Sequence, residues 1–305
     1  MHGIGRKPTF AFGGIFMLIP WVLMAQVQPA PAQTGLYTAI PFYLSENNNI
    51  IIKAVLNGRD TVNLMLHTAS SDITLTEEAA ARTGSVQFTG RADSVQSWGG
   101  SNNSSEYSRY NSVQIGDKRK DSVTVWKDLN SGQQTDGKFG LNIFGDRIIG
   151  LDFTRKLILL WSAMPAVAGT YEKQKLEVRN DQLFIRGTFQ AGKGRFENLF
   201  LVHSGYSDGL LLDDAFVTKS RIGQWVHITG EKKLKDAYGN VLLTKEGILP
   251  RFGIGHQHLT RVPVGFFEGA IGRQKMSIAG MAVLLHFDWI IDRKAGFIYL
   301  KKEAR

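Results

Sequence analysis

From residue 36 onward the chain alternates short apolar runs with polar, glycine-containing turns, a rhythm of strands rather than of helices. Ile50–Leu56 reads as a strand, Asn57-Gly58 as a hairpin turn, and Thr61–Thr68 as a second strand. The second run is nearly continuous in apolar residues, which predicts burial on both faces. Leu157–Trp161 and Phe297–Leu300 are further strands, and the pattern allows only short helices, at Glu77–Arg82, Asn142–Arg147, Leu211–Lys219 and Met281–Leu285. The 33 glycines and 8 prolines agree with an all-β fold rich in tight turns.

The pattern occurs twice. Asn63-Leu64-Met65-Leu66-His67-Thr68-Ala69-Ser70-Ser71-Asp72 is echoed by Asn198-Leu199-Phe200-Leu201-Val202-His203-Ser204-Gly205-Tyr206-Ser207-Asp208. Each is an apolar strand, then His, a small hydroxyl residue, a small residue, a variable residue, Ser and Asp. Gly140 follows His67 by 73 residues and Gly280 follows His203 by 77; Asp152 and Asp292 then follow their glycines by 12 each. A unit this long, present twice, implies two homologous lobes about a pseudo-twofold axis rather than a solenoid. Pro165 and its small neighbours in Ser162–Gly169 mark the boundary, giving lobes at 33–162 and 163–305.

These paired elements resemble the aspartic peptidases. That family carries in each lobe an apolar strand ending in Asp-Thr-Gly or Asp-Ser-Gly, and later an apolar pair followed by Gly. Leu64–Ser71 and Phe200–Ser207 match the first element. Phe139-Gly140 and Ile278-Ala279-Gly280 match the second, with Lys138 interrupting the apolar pair in the first lobe. The resemblance spans roughly residues 37 to 302. It implies two β-barrel lobes with a cleft between them, a flap at Ser97–Ser101 in which Trp98, Gly99 and Gly100 contact substrate, and a matching hairpin tip at Tyr238. It also implies that Thr68 and Ser204 brace the lobes by hydrogen bonds to the opposite backbone.

At both positions of the family's catalytic aspartates this chain has histidine, His67 and His203. Two carboxylates on one water supply a base and an acid together. An imidazole serves as a base near neutral pH, but it offers one nitrogen where a carboxylate offers two oxygens. Ala69 adds a methyl where the family has glycine. Proteolysis by the family mechanism is therefore not expected, which leaves a peptide- or protein-binding cleft, with a hydrolase using a His67/His203 pair, with or without metal, as the alternative and a vestigial cleft as a third reading. Zinc would need a third ligand. Asp72 and Asp208 read as turn residues and His256 and His258 lack acidic neighbours, so no metal or other cofactor is expected. Asp213-Asp214 reads as a helix N-terminal pair.

Residues 1–32 have the form of a signal peptide: Arg6 and Lys7, the apolar run Phe10–Ala25, then Ala30 and Ala32 in an A-x-A arrangement, with Ala25 as a second cleavage point. Export to the periplasm or beyond is the expectation, with no membrane span after its removal. The absence of cysteine rules out disulfides and thiolate chemistry. The net charge of +9 falls mostly after residue 162, on lysines and arginines scattered between strands, and reads as a solvated face. No stacking platform or basic helix accompanies it, so no nucleic acid is expected as a partner.

Overall fold

The computed structural model describes residues 35–97, 100–129, 132, 134–191, 194–235, 241–267 and 274–302. The first hairpin is the predicted one. Asn57 and Gly58 both take positive φ (51° and 67°), Arg59 N–H closes the turn on Leu56 O at 2.9 Å, and Ile50–Leu56 pairs with Asp60–Leu66. Along Asp60–Leu66 the expected two-sided burial holds only at the end. Val62 and Leu64 point inward while Thr61 and Asn63 are exposed; Leu64, Met65 and Leu66 are all buried where the strand approaches the lobe junction.

Six strands close into a ring in the first half. Ile50–Leu56 pairs with Asp60–Leu66, which lies parallel to Gly137–Phe139; that strand pairs with Ile73–Thr76, then Lys118–Asp128, then Gly100–Ile115, which returns to Ile50–Leu56. The second half repeats the ring in the same order: Gln182–Ala191, Gly194–Val202, Ser277–Ala279, Leu210–Leu211, Gln257–Phe266 and Val241–Ile254, which returns to Gln182–Ala191. Closure leaves no open edge within a ring. Between the rings runs a six-stranded sheet, Leu36–Pro41, Leu157–Trp161, Ile148–Asp152, Phe287–Asp292, Phe297–Lys302 and Glu172–Arg179. At its centre Ile149, Gly150 and Leu151 face Ile291, Ile290 and Trp289, so the two repeats meet strand to strand. One continuous core includes residues of both rings and of this sheet, among them Leu66, Phe139, Leu151, Phe200, Trp289 and Ile291.

The helices are as few and short as the sequence implies. Glu77–Arg82 is capped by Thr76, whose hydroxyl accepts from Ala79 N–H. Asn142–Arg147 is not a helix; a single 3-10 turn spans Leu141–Phe144 and stops at Gly145, whose φ of 61° leaves the helical region. The helix expected at Leu211–Lys219 starts later, at Asp214, because Leu210–Leu211 is taken up in the ring and Asp213 caps Phe216 N–H. Met281–Leu284 forms a short helix. No described helix is long and apolar enough to cross a membrane.

Candidate functional site

The two histidines are placed by equivalent backbone. His67 N–H donates to Phe139 O at 2.9 Å and His203 N–H to Ala279 O at 3.0 Å; the loops then turn back through Ser70 N–H to His67 O and Tyr206 N–H to His203 O. Gly140 and Gly280 seal each loop from behind. A Cβ on Gly140 would lie 2.0 Å from Ser70 O, and one on Gly280 would lie 2.4 Å from Asp208 O, so only glycine allows the approach. The spacing of His67 from Gly140 and of His203 from Gly280 thus has a packing reason.

Four hydrogen bonds lock the loops together across the junction. Thr68 Oγ1 donates to Val202 O (2.5 Å) and accepts from Ser204 N–H (3.0 Å); Ser204 Oγ donates to Leu66 O (2.6 Å) and accepts from Thr68 N–H (3.0 Å). Both hydroxyls are buried. Asn49, wholly buried, adds a bond from Nδ2 to Ser204 O at 3.2 Å.

This brace brings the His67 and His203 rings to a centroid separation of 4.5 Å at an interplanar angle of 62°. Each ring keeps some surface open while its Nδ1 is buried without a hydrogen-bond partner in the protein. The His67 ring reaches over the opposite loop, where a Cβ on Gly205 would lie 2.3 Å from its Cδ2. Burial pushes both imidazoles toward the neutral form: His67 is held well below its ordinary value by desolvation, then by His203 and Lys138, and His203 is lowered to about 4 by desolvation, opposed by its own backbone, with Lys138 lowering it further. Although the rings retain some accessible surface, each Nδ1 is buried, and desolvation is the largest effect on both.

A paired-strand loop of this kind in each of two six-stranded rings, joined by a shared six-stranded sheet, is a distinctive architecture. The aspartyl protease family model matches residues 52–143, a span that holds His67 and Gly140. The structure is similar to the crystal structure of an aspartic proteinase from Irpex lacteus, with a TM-score of 0.55 and 12% identity, over 88% of this chain and 97% of that one. The fold is that of an aspartic proteinase. No curated protein matches the sequence.

Within the aspartic-proteinase fold the remaining candidate residues fall into place unevenly. Trp98, Gly99 and Tyr238 lie outside the described residues; Gly100 begins the strand Gly100–Ile115 and pairs with Ser97, where a flap is expected. Asp72, with φ of 56°, is a turn residue whose carboxylate accepts from Asn142 Nδ2 at 3.4 Å, and Asp208 forms an ion pair with Lys232 at 2.5 Å. His256 lies on the turn after Val241–Ile254, and its backbone N–H donates to Glu172; His258 sits in the next strand, and burial and neighbouring arginines hold its imidazole low. Asp213 caps its helix as expected, and also accepts from Asn198 and Ser277. Among the described residues no three His, Asp, Glu or Cys side chains gather as metal ligands do.

Three residues at the site were not singled out from the sequence as site residues. Lys138 stands on Gly137–Phe139 beside Met65 and Thr74, and its only sequence signal was the break it makes in an apolar pair. Gly205 passes as an ordinary family glycine until the His67 ring is seen over it. Tyr206 has a buried hydroxyl without a partner, and burial together with Asp208 and Glu246 pushes its ionisation upward. A cavity of about 760 Å³ opens elsewhere, lined by Ile115, Phe144 and Arg147, and neither histidine lines it. The chemistry of the site therefore rests on the geometry of the two loops. Each neutral imidazole offers one lone pair and one N–H, and neither can hold the shared proton of a carboxylate pair.

Proposed function

We propose that this chain is an exported, non-proteolytic relative of the aspartic peptidases that binds a peptide or protein ligand in the cleft between its lobes. The observation that carries the reading is the pairing of an intact brace with two neutral imidazoles. The Thr68–Ser204 hydrogen bonds keep the cleft floor in place, while burial holds the two rings at that floor neutral, so above the pH of their first protonation they carry no proton to divide between an acid and a base. The apolar N-terminal run and the A-x-A sequence before Gln33 support export.

The test is cleavage of a mixed peptide library from pH 3 to 8 by the wild type, by His67→Asp with His203→Asp, and by the same pair with Ala69→Gly, each with and without a chelator. The wild type should be inactive throughout. The double variant should be at most weakly active at acid pH, and the triple variant more so, since removing the Ala69 methyl opens the loop. Wild-type cleavage peaking at acid pH would sink the reading; cleavage near neutral pH that a chelator abolishes would instead establish a metal-assisted histidine hydrolase.

A further inference from the structure

We infer that the cleft floor is a receptor for a carboxylate carried by the bound peptide, and that Lys138 is the residue that selects it. The inference rests on the peptide-binding reading above and adds the chemical class of the ligand. Lys138 is directed to the floor by strand alternation. It lies beside Met65, and Phe139 beside Leu66, on parallel strands, so Lys138 and Met65 share one face while Phe139 and Leu66 share the other. Leu66 and Phe139 belong to the core of the first ring, and His67, two residues after Met65, returns to the face that Lys138 occupies. The positive field of Lys138 reaches both imidazoles.

The same floor has polar atoms left over. His67 Nδ1 and His203 Nδ1 are buried with no partner in the protein, and each such atom costs stability unless a ligand or water satisfies it. The acids nearby are already engaged. Burial lowers the pKa of the Lys138 amine and the charge of Asp128 opposes that; Asp128 accepts from Ser105 Oγ at 2.9 Å, Asp72 is held by Asn142, and Asp208 by Lys232. Glu246, beside Tyr206, accepts from Thr244 Oγ1 at 2.8 Å and is pushed toward its neutral form by burial. The two rings add no negative charge, whereas an ionised carboxylate dyad at the same positions would repel an incoming acid.

An entering carboxylate meets the Lys138 ammonium and one imidazole able to take a proton from solvent, which becomes an imidazolium–carboxylate pair. The free rings resist protonation because of burial, mutual repulsion and Lys138. The ligand's charge offsets these effects, so binding takes up a proton and tightens as pH falls from 7.5 toward 5.5. Below about pH 4 the ligand carboxylate itself protonates and the gain ends.

The experiment uses N-acetylated hexapeptide mixtures made as C-terminal acids and as amides, each with and without one glutamate. Binding is measured by calorimetry at pH 5.5, 6.5 and 7.5 in two buffers of different ionisation enthalpy. Peptides with a carboxylate should bind about tenfold or more tightly than the Glu-free amides, with proton uptake. The four mixtures show whether a terminus or a side chain supplies the group. Lys138→Met and Lys138→Gln, with melting temperatures checked, should cut that preference to less than about threefold. Equal binding of acids and Glu-free amides overturns the carboxylate inference and leaves peptide binding standing. Should no peptide bind, sodium acetate against chloride, read by the His67 and His203 ring resonances, decides. Shifts abolished by Lys138→Met sustain the receptor while the peptide reading falls, and no shift overturns both.

Discussion

Replacing Thr68 with valine tests whether the lobes are held at the site by hydrogen bonds or merely packed there. Valine has nearly the shape of threonine, so the change removes one hydroxyl and leaves little cavity. That hydroxyl serves two backbone groups of the opposite lobe, Val202 C=O and Ser204 N–H, in a place where Thr68 is 1% and Ser204 0% exposed. A buried backbone group stripped of its partner costs about 1–3 kcal/mol, so Thr68→Val, which strips two, should destabilise by about 2–6 kcal/mol. Ser204→Ala strips Leu66 C=O and Thr68 N–H and should cost a similar amount. The two hydroxyls serve different backbone groups, yet once one hydroxyl is lost the loops can part and hydrate. The double variant should therefore cost less than the sum of the single ones, by about 1 kcal/mol or more. Urea unfolding of the four proteins, with Thr170→Val as an exposed-hydroxyl control, gives the numbers. A Thr68→Val cost under about 0.5 kcal/mol, no larger than an ordinary surface change, would refute the reasoning.

Gly205→Ala should destabilise by about 1–3 kcal/mol and shift the His67 ring resonances, because its Cβ would lie 2.3 Å from Cδ2 and 2.5 Å from Nε2; Gly169→Ala, with open space around it, should be neutral, and equal effects at the two sites would contradict the placement of the ring. His203 titrates near 4 when folded, against about 6.5 when exposed, so between those values the unfolded chain holds the extra proton. Its contribution is whole above about pH 6.5 and is lost as pH falls toward 4, by about 3 kcal/mol at most. The stability difference between wild type and His203→Asn should shrink over that window, and a pH-independent difference would show the ring is not buried in its neutral form.

Much of this arrangement was legible in the sequence because it depends on local pattern repeated twice. The Asn57-Gly58 turn, the two His-hydroxyl-small triplets and the equal Gly-to-Asp spacings each carry their own signal, and the pseudo-twofold repetition sets the two loops against each other. What stayed hidden depends on contacts distant in sequence. Ring closure between Ile50–Leu56 and Gly100–Ile115 joins residues as far apart as Ala54 and Ile115 with no mark in either strand. The face on which Lys138 emerges follows from its register with Met65, which its flanking residues do not reveal. Asn49 reads as one of three asparagines in a turn until its amide is found on Ser204 O. At Asn142–Arg147 the apolar spacing suggested a helix, and Gly145 at positive φ ends it after one turn.

With histidine at 67 and 203 the scaffold is whole, because nothing that holds the loops in place uses those side chains. The brace is made by Thr68, Ser204 and backbone; the loop backs are made by Gly140 and Gly280. The chemistry is separable from the geometry, and the histidines change it in a definite direction. Two unit charges 4.5 Å apart repel by about 4 kcal/mol at an effective dielectric constant near 20, so a second protonation would be pushed down by nearly three pH units. Desolvation opposes even the first. Across the range where a carboxylate dyad works, this pair passes from two neutral rings to one charged ring, and it never holds the ionised oxygen that would draw a proton from water. On the proposed reading, acidification should therefore not switch on the family reaction here. It should instead strengthen the proposed hold on an anion that brings its own negative charge to the floor.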